Sequence, residues 1–258
     1  MPKLAANLTM MFGDVAFLER FDAAARAGFK GVEYLFPYDF PAPALKQRLL
    51  DHGLSQVLHN LPAGNWAKGE RGIACLPDRV DEFKAGVDRA IEYATALGCD
   101  RVNCLAGILP QGLGPEAARE TFTSNLTYAA PRLGAAGIKL LIEPINTRDM
   151  PGFFLHHTRQ ALDIIEAVGS DNLFVQYDIY HMQIMEGFLA KTIEAHLPRI
   201  AHIQLAEVPG RHEPGTGEID YRFLLDFIDR AGYSGWIGCE YVPLAGTVEG
   251  LGWTTPYL

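Results

Sequence analysis

The sequence lacks several features that mark large classes of protein. Its four cysteines are scattered, with no CxxC pair and no cluster of cysteine and histidine, which argues against a zinc ribbon or a disulfide framework and fits a reducing cytoplasm. No stretch approaches the roughly 18 consecutive apolar residues of a membrane span. No dense basic run offsets the formal net charge of −9, and binding to a nucleic-acid backbone requires such a run. We therefore expect a cytoplasmic protein that binds neither membranes nor nucleic acid.

The chain does have ample material for a core. It contains 258 residues, of which 48% are hydrophobic, a composition typical of globular proteins. No linker or low-complexity tract divides it. Because α/β barrels commonly use about 250 residues as one domain, residues 1–258 are predicted to form a single domain. The acidic balance still allows a small anionic substrate, because local arginines or a metal override the global field. The composition is compatible with a homo-oligomer.

Short apolar runs alternate with longer segments of helical spacing along the whole chain. Strict alternation of strand and helix predicts a parallel sheet, and eight such units close a (β/α)₈ TIM barrel. A doubly wound open sheet is the alternative, but no GxGxxG follows the first strand. The predicted strands are residues 3–12, 32–36, 55–60, 101–106, 139–146, 173–179, 201–207 and 236–241. The predicted helices are residues 16–27, 43–52, 77–97, 115–136, 158–168, 189–196 and 221–230.

Polar side chains stand where the last four predicted strands end, the position at which a TIM barrel places its active site. They are Glu143, Asp178, Gln204 and Glu240. One such residue alone is usually a solvated or ion-paired side chain. Three carboxylates brought together would repel one another unless a cation neutralised them. An all-oxygen set suits Mg²⁺, with Mn²⁺ as the alternative, better than Zn²⁺. We therefore predict that these four residues bind one divalent metal.

Histidines and one arginine complete the candidate site. His181 lies on the loop side of a predicted ligand, and His59 lies at the end of the third strand. His202 shares the face of Gln204 one layer deeper, which is more typical of a core residue. Arg211 lies in a glycine-rich segment that lacks a Walker ending, and it is suited to bind a substrate carboxylate in bidentate fashion. We predict substrate contacts for His181, His59 and Arg211.

The chain resembles the hydroxypyruvate isomerase family, within the xylose-isomerase-like barrels, and is most similar to the 2-oxo-tetronate isomerase branch. The similarity runs from end to end of the chain, and the motifs are specific when taken together. The motifs are NLPAGNW (60–66), GERG (69–72), LIEPIN (141–146), YDIYHM (177–182), HIQ (202–204), PGTGEIDY (214–221) and GCEY (238–241).

This resemblance implies roles for individual residues. Glu143 and Glu240 match the family's paired acid and base, which also bind the metal, and Asp178 matches a third ligand. Gln204 stands where related epimerases often have histidine, which sets this chain apart from them at the fourth ligand. Asp149 stands where relatives often place an acid that contacts substrate. His181 and Arg211 match substrate-binding positions in the same relatives.

The implied reaction interconverts the 2-oxo and 3-oxo forms of a short sugar acid, as in 2-dehydro-erythronate to 3-dehydro-erythronate, through an enediolate. Hydroxypyruvate isomerisation to tartronate semialdehyde is the alternative, followed by a sugar epimerase or a dehydratase on the same barrel. A nuclease of the endonuclease IV type would need several zinc ions and many histidine ligands. A non-catalytic binding protein would need only one of the two glutamates.

Overall fold

The computed structural model describes residues 1–258 and confirms the TIM barrel. Each strand pairs in parallel with the next one along the chain, and the first also pairs with the last, so the sheet closes on itself. The strands are β1 (Lys3–Asn7), β2 (Gly31–Glu33), β3 (Ser55–Asn60), β4 (Arg101–Cys104), β5 (Lys139–Ile142), β6 (Leu173–Asp178), β7 (Ile200–Leu205) and β8 (Trp236–Cys239). The helices are α1 (Arg20–Arg26), α2 (Ala42–His52), α3 (Val80–Leu97), α4 (Pro115–Ala135), α5 (Thr158–Val168), α6 (Ile179–Met185), α7 (Leu189–His196) and α8 (Tyr221–Arg230).

The helices form an outer layer around the barrel, and their buried residues follow helical spacing. On α5, the buried side chains include Ala161, Ile164 and Ile165, which lie on one face because a helix turns every 3.6 residues. The helix ends at Gly169, whose φ of 66° is the left-handed conformation that ends many helices. Packing of such faces against the sheet forms a core of 67 buried residues. All four cysteines are buried and free.

Helix boundaries follow the predictions more closely than strand boundaries do. The bounds of α5, α7 and α8 equal the predicted ones, whereas most strands end two to five residues early. Two of these strands, β5 and β8, end directly before a glutamate, at Ile142 and at Cys239. No helix of the fold combines the length and the apolar character needed to cross a membrane.

Helix α6 was not predicted. It begins directly after β6, and the side chain of Asp178 accepts a hydrogen bond of 2.8 Å from the backbone N–H of Tyr180. An aspartate at this position stabilises a helix start by satisfying a free N–H group. The same residue therefore ends the strand, caps the helix and leaves its second carboxylate oxygen facing the mouth of the barrel.

Candidate active site

The four predicted metal ligands lie on adjacent strands at the carboxyl end of the barrel. Asp178 is the last residue of β6 and pairs in register with Gln204 of β7. Glu143 and Glu240 come directly after the last residues of β5 and β8. All four side chains are buried, with at most 4% of any residue exposed. The structure therefore places all four residues at the same end of the barrel, with the side chain of Gln204 hydrogen-bonded to Gln176 and Glu33.

Glu143 is held from the β4 side of the mouth. Asn103 donates a hydrogen bond of 2.8 Å from Nδ2 to Oε2 of Glu143 and a second, of 3.1 Å, to Oδ1 of Asn60. Burial raises the pKa of Glu143 well above its ordinary value, and the nearby charges of Glu240 and Asp178 raise it further. The carboxyl group is therefore fixed in position and prone to hold a proton when no cation is near.

Glu240 is held from the opposite side by residues of β1 and the loop after β7. Asn7 donates a hydrogen bond of 3.2 Å from Nδ2 to Oε1 of Glu240. Arg211 contacts Oε2 of Glu240 at 2.5 Å and Oδ2 of Asp178 at 3.4 Å. Burial raises the pKa of Glu240 to about 8, although the charge of Arg211 opposes the shift. The two glutamates thus enter the site from different strands with separate supports.

His181 faces the carboxylates through a defined ring nitrogen. Oδ1 of Asn146 accepts the backbone N–H groups of Arg148 and Asp149, so its Nδ2 must be the group 2.7 Å from Nδ1 of His181. Since that amide donates, Nδ1 accepts and the ring proton lies on Nε2. Nε2 is 3.5 Å from Oδ2 of Asp178 and 4.0 Å from Oε1 of Glu143. Burial lowers the pKa of His181 to about 4, so the ring is neutral near pH 7.

Asp149 and Arg211 both reach this part of the mouth. Asp149 accepts hydrogen bonds at Oδ2 from Tyr180 at 2.6 Å and from Asn146 at 3.0 Å, which links it to His181. The guanidinium of Arg211 lies 4.9 Å from the centre of the Tyr180 ring, a distance at which a cation is attracted to an aromatic face. Arg211 adopts a φ of 53°, which is uncommon for a residue with a side chain.

His59 is the one predicted substrate residue that the structure does not bring to this cluster. Its neighbour Asn60 faces the barrel interior, and side chains alternate along a strand, so His59 faces the helical layer. There its ring lies 6.1 Å from the ring of Tyr38 and beside the backbone of Ala90. Burial lowers the pKa of His59 to about 3. The prediction rested on the distance of His59 from the strand end, whereas the alternation of side chains places its ring on the helical side of the sheet.

Sequence reasoning missed the polar residues that support the site from the first four strands. Glu33 is buried at the end of β2 and accepts hydrogen bonds from three side chains. A signal for them is present in the sequence, because these residues also lie at or next to strand ends. The missed residues are Asn7, Glu33, Asn60 and Asn103.

The residues present fit a divalent cation. Glu143, Asp178 and His181 each offer one ligand atom within 4.8 Å of the others. Since Nε2 of His181 carries the ring proton, that nitrogen is a donor here and the oxygen atoms of Glu143, Asp178 and Glu240 are the better ligands. Neighbouring carboxylates raise the pKa of both Glu143 and Glu240, and a cation placed among such buried groups would offset their repulsion. Oxygen donors of this kind suit Mg²⁺ or Mn²⁺.

Comparison with known proteins supplies the family. The family model for the xylose isomerase-like TIM barrel matches residues 21–257. The chain belongs to this family. It is 52% identical over 257 residues to hydroxypyruvate isomerase of Escherichia coli, with 100% of both chains covered. It is 50% identical to 2-oxo-tetronate isomerase of Cupriavidus necator, with 100% of this chain and 99% of the relative covered. This member of the xylose isomerase-like family is an isomerase.

Solved structures show the same fold. A crystal structure described as an AP endonuclease, family 2, from Brucella melitensis matches with a TM-score of 0.97 and 49% identity, covering 100% of this chain and 99% of that one. The apo crystal structure of 3-keto-D-glucoside 4-epimerase from Escherichia coli matches with a TM-score of 0.82, covering 99% of this chain and 100% of that one. At 19% identity the epimerase shows a shared fold alone.

Proposed function

We propose that this isomerase interconverts the 2-oxo and 3-oxo forms of a short sugar acid, with 2-dehydro-erythronate as its substrate and hydroxypyruvate as the alternative. The observation that carries the proposal is a pair of buried glutamates, Glu143 and Glu240, supported separately at one mouth beside Asp178. The names of the relatives agree, since one is a hydroxypyruvate isomerase and the other a 2-oxo-tetronate isomerase.

The glutamate pair is suited to move a proton between neighbouring carbons. One glutamate takes the proton from C3 of a 2-oxo-3-hydroxy acid, which gives an enediolate. The other returns a proton to C2, and the 3-oxo acid results. Burial raises the pKa of Glu143 above its ordinary value and that of Glu240 to about 8, and a bound cation would favour the ionised form of both, in which either can act as the base. Each glutamate is the base in one direction.

The other residues orient the substrate. His181 presents its Nε2–H toward the carboxylates, so it is placed to donate a hydrogen bond to a substrate oxygen and to assist the proton shift between the two oxygens. Arg211 supplies positive charge for the substrate carboxylate. We propose that Glu143, Asp178, Gln204 and Glu240 hold one Mg²⁺ or Mn²⁺, which would act as a Lewis acid toward the substrate oxygens.

A nuclease function is less well supported, although one similar structure is described as an AP endonuclease. The cluster at the mouth combines one histidine with two carboxylates, whereas a nuclease of the endonuclease IV type needs several zinc ions and many histidines. The formal net charge of −9 also disfavours contact with a nucleic-acid backbone.

Turnover in D₂O distinguishes an isomerase from a dehydratase and compares the two candidate substrates. Purified protein with Mg²⁺ or Mn²⁺ is incubated with 2-dehydro-erythronate and, separately, with hydroxypyruvate, and the products are followed by NMR and mass spectrometry. Isomerisation retains the atoms of the substrate apart from exchange of hydrogen for deuterium at carbon, whereas a dehydratase loses water. A product that has lost water, or no turnover of either acid, would refute the proposal. The ratio of kcat/KM for the two acids identifies the substrate.

Substitution of either glutamate tests its role. Glu143→Gln and Glu240→Gln each remove a group that exchanges a proton, and general acid–base catalysis contributes roughly 10²–10⁴-fold to a rate. We expect kcat to fall by at least about 10²-fold in both variants, measured by the same NMR assay. Glu218→Gln is the matched control, because Glu218 is exposed and accepts a hydrogen bond from Gln183. Near-wild-type rates in either site variant would contradict the assignment.

A further inference from the structure

Below the mouth of the barrel lies a buried carboxylate that the proposed reaction does not use. Glu33 ends β2 and is 1% exposed. Its Oε1 accepts hydrogen bonds from Asn7 at 3.0 Å and from Gln204 at 2.8 Å, and its Oε2 accepts one from His202 at 2.7 Å. The donors come from β1 and β7, so one side chain connects three strands across the barrel interior. Burial of an ionised carboxylate is costly unless donors of this kind compensate it.

The barrel makes room for this carboxylate at a glycine. Gly238 of β8 is the register partner of Gln204, and a Cβ added there would lie 2.3 Å from both carboxylate oxygens of Glu33. No side chain larger than hydrogen fits at that distance without moving the carboxylate. Three hydrogen-bond donors therefore hold the Glu33 carboxylate. The space that it occupies beside Gly238 would be filled by a single methyl group at that position.

Glu33 dictates which end of the Gln204 amide faces it. A carboxylate only accepts hydrogen bonds, so the amide nitrogen of Gln204 must point at Glu33 and its carbonyl oxygen must point away. Oε1 of Gln204 accepts one hydrogen bond, of 2.6 Å, from Gln176. A carbonyl oxygen has a second lone pair, and Gln204 is the register partner of Asp178. Loss of the Glu33 carboxylate removes the acceptor of the Gln204 nitrogen and leaves the hydrogen bond from Gln176 as the contact that orients the amide.

We infer that Glu33 is a positioning residue: by accepting from the Gln204 nitrogen, it leaves the carbonyl oxygen, not N–H, as the end of that amide available to the cation. The inference rests on the proposed metal site. Groups that orient metal ligands change metal affinity by about 10–100-fold when they are removed. Because Glu33 acts through Gln204, its effect on affinity should disappear once Gln204 is gone.

A double-mutant cycle on metal affinity tests this. Mn²⁺ binding to the substrate-free protein is measured by calorimetry and by electron paramagnetic resonance for wild type, Glu33→Gln, Gln204→Ala and the double variant. We expect Glu33→Gln to weaken Mn²⁺ binding by about tenfold or more. We expect the double variant to bind about as weakly as Gln204→Ala alone. A general structural role for Glu33 would instead make the two losses multiply, which would overturn the inference.

Gly238→Ala is the second variant, because it displaces the Glu33 carboxylate while keeping its charge. It should weaken Mn²⁺ binding in the same way, and it serves if Glu33→Gln fails to fold. Asn125→Ala is the control for loss of a buried polar contact, since Asn125 donates to the carbonyl of Ala74 in another part of the fold. Its Mn²⁺ affinity should equal that of the wild type. Wild-type Mn²⁺ affinity in Glu33→Gln or in Gly238→Ala would refute the positioning role of Glu33 but not the proposed metal site. Failure of the wild type to bind Mn²⁺ refutes the metal site as well.

Discussion

Paired side chains at adjacent strand ends give Glu143 and Glu240 a separate support each. Asn103 supports Glu143 and Asn7 supports Glu240, and in each case the asparagine donates through Nδ2 to two acceptors. An amide donor of this type holds a carboxylate in place without adding charge, so the proton affinity of the glutamate is set mainly by burial and by its charged neighbours. The pKa of each glutamate therefore depends on its surroundings in the barrel as well as on the carboxyl group itself.

His59 provides a residue-scale prediction about pH. Its folded pKa of about 3 lies below the ordinary value of 6.5, so between these pH values the unfolded chain binds a proton that the folded protein does not. The contribution to stability is complete above pH 6.5 and is lost as the pH falls toward 3, by about 1.4 kcal/mol per pH unit. His59→Leu should remove this dependence and leave kcat/KM within about twofold.

Urea unfolding at several pH values and the isomerase assay measure the two effects of His59→Leu. His196→Leu is the control for replacing a histidine outside the core, since His196 lies partly exposed in the last turn of α7, and it should leave kcat/KM unaltered. A KM raised tenfold or more in His59→Leu would show that His59 contacts the substrate, as predicted from the sequence.

At the scale of elements, the sequence predicted what depends on periodicity and missed what depends on single hydrogen bonds. The spacing of apolar residues predicted α5, α7 and α8 to the residue, because each buries one face against the sheet. Helix α6 was missed because it has seven residues and its start depends on the cap formed by Asp178. The support from Glu33 was missed because it depends on contacts across the barrel. Its partners His202 and Gln204 lie 169 and 171 positions away along the chain.

The loop from β7 to α8 carries Arg211 and is held by a buried carboxylate. Glu207 accepts hydrogen bonds from the backbone N–H of Gly215 at 3.0 Å and of Ile219 at 3.1 Å. Glu207→Gln should loosen this loop, because an amide oxygen accepts more weakly than a carboxylate and its NH₂ group cannot accept. We expect KM for the acid to rise about tenfold, since each charge-assisted hydrogen bond contributes about 1.5–3 kcal/mol, with Mn²⁺ affinity unchanged.

Steady-state kinetics and Mn²⁺ titration together test this role of Glu207. Glu218→Gln, an exposed substitution in the same loop, is the control and should leave KM unaltered. If Glu207→Gln lowers Mn²⁺ affinity as much as it raises KM, the loop supports the metal site in addition to holding Arg211. The expectation that Glu207 affects substrate binding and not metal binding would then be wrong.

At the scale of the whole molecule, closure of the barrel gathers residues from all eight strands at one mouth. Asn7 of β1 and Glu240 after β8 are 233 positions apart yet share a hydrogen bond, because β1 pairs with β8. Polar groups so concentrated in a core destabilise the fold unless they are paired. A cation bound there should therefore stabilise the whole barrel, since the proposed ligands lie at or directly after the ends of β5, β6, β7 and β8.

Thermal unfolding measures that stabilisation. A ligand present at 100 times its Kd stabilises the folded state by about 2.7 kcal/mol. In a chain of 258 residues, about 1 kcal/mol raises Tm by roughly 2–4 °C, so saturating Mg²⁺ or Mn²⁺ should raise Tm by about 5–11 °C. Asp178→Asn removes one charged ligand and should reduce this rise at the same metal concentration, whereas Asp163→Asn, on α5 and paired with Arg159, should not. Equal rises in both variants would show that the cation stabilises the protein at some place other than the mouth, because only a site that includes Asp178 responds to its charge.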